Sequence, residues 1–295
     1  MLNGGMAGHT HDHIDWAERI PDLRQADELS KAAFAQIAAR LTATLPEKAT
    51  VIDVGSGTGG MSAALAAALS SRGGGTLLLV DAVPELLEVA AETAEQAGEK
   101  RVEVSTVRTD LARDDLVTLL PSANLIWAAS VVHHLPDQQA AVTRLAQVLA
   151  PEGTLALAEG GLEIETLPWD LGIGEPGFER RLLAARDGWF REMRGGIDGA
   201  VSMPYGWTTA LSRAGLAAVG SFSRLIDHPA PTTEVVRAFA LNRLTRLLDH
   251  VGDRIADDDR KVAHRLLDPS DSQYLGRRDD LYVLGTRTVH FGLRR

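Results

Sequence analysis

The sequence predicts an α/β protein with a doubly wound, mostly parallel sheet. Three observations predict it. Short apolar runs alternate with longer helix-forming segments over residues 50–159, the pattern of a sheet covered by crossover helices. The loop Gly55-Ser56-Gly57-Thr58-Gly59-Gly60 joins the first apolar run to an Ala- and Leu-rich segment, the strand–turn–helix layout of a nucleotide-binding crossover. Acids or a hydroxyl close four of the apolar runs, at Asp53, Asp81, Asp110 and Ser130. In an open α/β sheet those positions lie where ligands bind.

The elements follow in order. Residues 1–14 are Gly- and His-rich and predict a mobile tail. Two helical segments are expected over 15–45; the second, Asp27 to Leu45, carries Leu29, Ala33, Phe34, Ile37, Ala38 and Leu41 at helical spacing and is ended by Pro46. Strands are expected at 50–54, 76–80, 102–107, 124–129 and 154–159. The intervening helices are expected at 60–70, 84–97, near 112–119 and at 137–149. Residues 160–206 break this rhythm. That segment and Trp207 hold six of the fourteen aromatics (Trp169, Phe178, Trp189, Phe190, Tyr205 and Trp207), with glycines and prolines between them. It reads as an inserted cap of one or two short helices, 161–206, with the core at 46–160 and 207–295. The core resumes with a helix at 207–215 and a strand at 217–226. Helices at Thr232–Val251 and about 257–267 follow, and then a last strand from Leu281 to Leu293.

Composition sets limits. A chain of 295 residues, 45% apolar and 24% charged, can bury a full core. The formal charge of −10 argues against a life on nucleic-acid phosphates. The absence of cysteine excludes disulfides, Cys-ligated zinc, thiolate-held iron–sulfur clusters and a Cys nucleophile. No apolar run approaches a membrane span, and residues 1–10 do not read as a signal peptide, so a cytoplasmic location is expected.

Gly55-x-Gly57-x-x-Gly60 also fits a dinucleotide fingerprint, so the acids around it must discriminate. Asp53 can accept from an ammonium group, which S-adenosylmethionine has and NAD lacks. Asp81 can take both ribose hydroxyls of an adenosine. Beyond the fourth strand lies Val131-Val132-His133-His134-Leu135-Pro136-Asp137, and Pro151-Glu152-Gly153 turns into the fifth strand. This ordered series resembles the class I S-adenosylmethionine-dependent methyltransferases over residues 48–160.

The resemblance implies a seven-stranded sheet with an antiparallel last strand, a lid from helices in residues 1–45, and S-adenosylmethionine as cofactor. Asp53, Gly55, Ser56, Gly57 and Gly59 are then expected at the methionine and ribose portion. Asp81 and Ala82 are expected at the ribose, Asp110 and the Leu111 backbone at the adenine, and Ser130 beside them. Each acid also has a plainer reading: Asp53 as a cap of the loop, Asp81 as a helix cap before Pro84, Asp110 as a solvated loop acid.

His133 and His134 are the candidate bases, His133 being preferred; the plainer reading has one of them capping the next helix or packing beneath the site. Residues 130–135 contain no acid and no Pro-Pro amino-methyltransferase motif, so metal-independent transfer to the oxygen or nitrogen of a small organic acceptor is expected. A peptide acceptor and a non-methylating, cofactor-binding role are the alternatives. His9, His11 and His13 suit a metal at alternate positions of a strand, but a polar tail is the expected reading, with no metal site. The cap arginines Arg180, Arg181, Arg186, Arg191 and Arg194 are interspersed with acids and read as a solvated helix face.

Overall fold

The computed structural model describes residues 16–295, and the His9–His13 group lies outside them. The strands are β1 (Thr50–Val54), β2 (Gly75–Asp81), β3 (Val102–Arg108), β4 (Ala123–Ala129), β5 (Leu149–Ala158), β6 (Ala217–His228) and β7 (Val283–Leu293). They form one sheet in the order β3-β2-β1-β4-β5-β7-β6. Strands β1 to β5 pair in parallel, and β7 runs antiparallel to β5 with Ala156 opposite Phe291. The winding reverses between β1 and β4, and such a reversal leaves a crevice at the carboxyl ends of the strands.

The helices are α1 (Trp16–Thr42), α2 (Gly60–Ser71), α3 (Pro84–Gly98), α4 (Leu116–Leu119), α5 (Gln138–Val148), α6 (Phe178–Gly195), α7 (Trp207–Arg213), α8 (Glu234–Val251) and α9 (Asp257–Leu267). Alternation along β1 sends Val51 into a core with Ile37 of α1, Leu65 of α2 and Leu87 of α3. Ile52 and Val54 enter the opposite core with Leu116 of α4, Leu145 of α5 and Leu211 of α7. Both faces are therefore covered, which is why β1 and β4 read as continuous apolar runs. Each fully buried Val, Leu or Ile contributes about 1.5–3 kcal/mol.

Three elements differ from the sequence expectation. Residues 16–42 form one helix rather than two, and Pro21 in its second turn does not end it. The helix expected near 112–119 shrinks to α4. Asp110 accepts from Ala112 N at 2.9 Å and Asp114 from Asp110 N at 2.7 Å, and these side-chain bonds hold the backbone in turns. The cap holds a single long helix, α6.

The chain divides into two compact units. One comprises residues up to Gly161 with Ile197–Arg224 and Arg287–Arg295; the other comprises Leu162–Gly196 and Leu225–Thr286. Residues 225–286 group with 162–196, and residues 197–206 group with the unit that holds β1 to β5. Within the second unit Glu179, 6% exposed, accepts from Thr166 N and Leu167 N and pairs with Arg243. Arg180, Arg181 and Arg186 pair with Glu165, Asp259 and Glu163. Trp189 packs against His250 with the rings tilted, whereas Trp169 is 60% exposed. Among the described residues no helix is long and apolar enough to cross a membrane.

Candidate functional site

The first unit gathers its polar groups at the carboxyl ends of β1, β2, β4 and β5. The glycine loop leaves β1 with Gly55 at φ +68°, and the Gly55 N–H donates to Val80 O at 2.6 Å. A Cβ on Gly55 would stand 2.1 Å from Val131 Cγ2, so the loop and the segment after β4 meet here only because the residue is glycine. Gly57 has φ +54°, but a Cβ there would meet nothing within 4 Å. Its side faces open space, as a close approach to a ligand requires. Ser56 is 8% exposed, and its Oγ is buried with no hydrogen-bond partner. A buried hydroxyl left unsatisfied normally has an explanation, such as an absent ligand or water.

Three carboxylates hold residues 57–62. Asp81 Oδ2 accepts from Gly57 N at 3.1 Å and Asp81 Oδ1 from Val83 N at 3.0 Å. Each oxygen keeps a further lone pair for a ligand. Burial pushes the Asp81 pKa up, opposed by the Val83 and Gly57 amides. Asp53 lies beneath the loop rather than at its surface. It is 2% exposed and accepts from Ser62 Oγ at 2.5 Å. Burial, with smaller contributions from Asp81 and Asp27, pushes its pKa up to about 7.

Asp27 of α1, which sequence reasoning missed, accepts from Thr58 Oγ1 at 2.6 Å and Gly60 N at 3.0 Å. A Cβ on Gly60 would stand 2.4 Å from the Asp27 Cγ. The available signal was its register: Asp27 stands 7, 11 and 14 residues before the buried Phe34, Ala38 and Leu41, a lone acid on an apolar helix face.

The other expected cofactor residues flank this group. Ala82 is exposed at the end of β2, and its carbonyl accepts from Arg108 Nε at 3.3 Å. Asp110 and Leu111 follow β3 in a loop joined to β2 by the Thr109 N–H on Asp81 O at 3.1 Å. Arg144 of α5 holds that loop by donating to Leu111 O at 2.9 Å. Ser130 is exposed at the end of β4 with φ +55°, and its N–H donates to Ala158 O at 3.1 Å.

Past Ser130 the structure adds a group that sequence reasoning left out. Glu159, 1% exposed, closes β5 and turns back toward β4. Its Oε1 accepts from Val131 N at 3.0 Å and Val132 N at 2.8 Å, and its Oε2 lies 2.6 Å from His133 Nδ1. The carboxylate is an acceptor, so His133 donates its Nδ1–H to Glu159. The His134 ring is tilted against that of His133, 3.9 Å between centroids. The signal for Glu159 was that the fifth strand, like the first two, runs into an acid at its carboxyl end.

Residues 52–155 match the family model described as a methyltransferase domain. Among solved structures, the YcgJ protein of Bacillus subtilis is 18% identical, with 90% of this chain and 99% of that chain covered and a TM-score of 0.48. An S-adenosylmethionine-dependent methyltransferase of Thiobacillus denitrificans, solved with S-adenosyl-L-homocysteine, is also 18% identical, covering 87% of this chain and 89% of that one at a TM-score of 0.43. No curated protein sequence matches the chain.

Proposed function

We propose that residues 52–155, which match a family model described as a methyltransferase domain, form a class I, S-adenosylmethionine-dependent enzyme, and that the protein methylates a hydroxyl or amine of a small organic molecule without a metal ion. The observation that carries the acceptor reading is the His133–Glu159 pair. A carboxylate that fixes the imidazole tautomer equips His133 as a general base, and a base is useful only for an acceptor that must lose a proton.

The cofactor fits the residues present. The unsatisfied Ser56 hydroxyl, the open side of Gly57 and the spare lone pairs of Asp81 form a polar cradle. In this reading Gly55, Ser56, Gly57 and Gly59 line the methionine portion. Asp81 and Ala82 take the ribose, Asp110 and Leu111 the adenine, and Ser130 stands beside them. Asp53 supplies negative charge from below. When bound, S-adenosylmethionine supplies an electrophilic methyl group on a sulfonium. His133 Nε2 accepts the proton of the acceptor O–H or N–H, and Glu159 stabilises the imidazolium. The tilted ring of His134 packs against that of His133. The net charge of −10 favours an acceptor other than nucleic acid.

The test is transfer of a labelled methyl group from S-adenosylmethionine to panels of phenols, alcohols, amines and short peptides. Product from small acceptors, dependent on His133, supports the reading. Product from peptides alone, or cofactor binding with no methylated product from any panel, replaces it.

Two further outcomes are expected. Asp81→Ala weakens S-adenosylmethionine binding by about 1–3 kcal/mol through lost charged hydrogen bonds and a loosened Gly57. An unchanged dissociation constant removes Asp81 from the site. Turnover survives EDTA, since the segment 130–135 offers no acidic metal ligand. Loss on chelation with recovery in magnesium overturns the metal-free step.

A further inference from the structure

The three carboxylates around the glycine loop have a consequence beyond holding it. Asp81 binds the amide of Gly57, Asp27 binds Thr58 and Gly60, and Asp53 binds Ser62, so three acids converge on six consecutive residues. They arrive from three different elements, β2, α1 and β1; Asp53 is buried, and Asp27 and Asp81 are half-buried.

The groups facing Asp53 are the Ser62 hydroxyl from α2, Asp81 from β2 and Asp27 from α1. Arg287 of β7 is a cation acting on Asp27, whereas the main influences on Asp53 are burial, the Ser62 hydrogen bond and the other two acids, and those on Asp81 are burial and backbone amides. Three like charges in a low-dielectric site cannot all ionise cheaply. The same loop carries the buried, unsatisfied Ser56 hydroxyl, an independent mark of a ligand position.

We propose that these carboxylates hold a proton in the ligand-free protein and release it to solvent when the cationic end of S-adenosylmethionine enters, so that the site selects its cofactor by charge. The inference rests on the cofactor reading above and adds a proton to the binding equilibrium. Asp53 is the site of that proton. It is the most deeply buried of the three, and the other two acids each disfavour its ionisation. An incoming ammonium or sulfonium charge reverses the balance, because an opposite charge nearby favours the carboxylate.

The experiment is titration calorimetry of the full-length protein at pH 6.5 in two buffers of different ionisation enthalpy. At that pH the ligand's own amine stays protonated. With Asp53 ionising near 7, S-adenosylmethionine should displace about three-quarters of a proton. 5′-Methylthioadenosine shares the nucleoside and the sulfur but lacks the cationic end, and it should displace none. Asp53→Asn should bind S-adenosylmethionine with no buffer dependence. Ser62→Ala removes the hydrogen bond that favours the ionised form, and should move proton release to higher pH.

Binding of S-adenosylmethionine by the wild type with no proton release overturns the proposal while leaving the cofactor reading intact. So does undiminished release in Asp53→Asn, or equal release with methylthioadenosine. Absence of any S-adenosylmethionine binding overturns both.

Discussion

His133→Ala lowers kcat by roughly 10²–10⁴-fold, the usual contribution of a positioned general base. Affinity for S-adenosylmethionine stays nearly unchanged, because His133 lies after β4, apart from the hydrogen bonds that hold the glycine loop. Glu159→Gln is the more discriminating variant. Its amide oxygen still accepts from Val131 N and Val132 N, so the segment after β4 keeps its course. Its amide nitrogen then donates to His133 Nδ1. The imidazole proton moves to Nε2, and the lone pair that should receive the acceptor's proton is lost. The expected result is a fall in kcat of similar order, with KM for the acceptor within about twofold. Single-turnover measurement of methyl transfer separates this from a folding defect. If both variants keep near-normal kcat, the enzyme works by alignment alone, and its acceptor is already ionised before transfer.

The second large effect is on stability. Asp53→Asn raises the melting temperature of the ligand-free protein at pH 8 and does so much less at pH 5. Asp53 ionises near 3.8 when unfolded and near 7 when folded, so the folded state binds the proton more tightly. Its contribution to stability is therefore greatest at low pH and falls as pH rises from about 4 through about 7. Above that window the folded protein carries a buried, ionised carboxylate. Asparagine keeps the hydrogen bond from Ser62 without the charge, and the expected gain at pH 8 is roughly 2–4 kcal/mol. The upward shifts of Asp27 and Asp81 have the same sign, and Asp53, ionising near 7, makes the wild-type protein more stable near pH 6 than near pH 8. Thermal melts of both proteins across pH 5–8 decide it. A wild type that gains stability as pH rises, and that Asp53→Asn does not stabilise at pH 8, refutes the assignment. Such a gain on losing the charge would mean that a binding site is maintained at the expense of stability.

Much of the architecture was legible along the chain. The period of the apolar residues gave the strand–helix alternation from β1 to β5, and the buried face of α1 falls on the residues that periodicity names, from Leu29 to Leu41. The spacing of glycines after β1 marked the loop, and Asp81 was visible because an acid at that strand end is a local signature. These features depend on residues close in sequence, and sequence reports such relations directly. What tertiary structure alone decided are the pairings across long separations. Glu159 reaches back 26 residues to His133, and Asp27 forward 31 residues to Thr58 and 33 to Gly60. Both acids were in plain view, yet periodicity tells which face of an element is buried and not which partner meets it there. The same limit applies to Asp53. Its place at the end of an apolar strand suggested an acid that accepts from an ammonium group, and the pleat of β1 aims it into the helix-covered side at Ser62. Whether a carboxylate serves as a surface ligand or as a buried charge depends on the helices packed above it, and only the folded chain fixes their position.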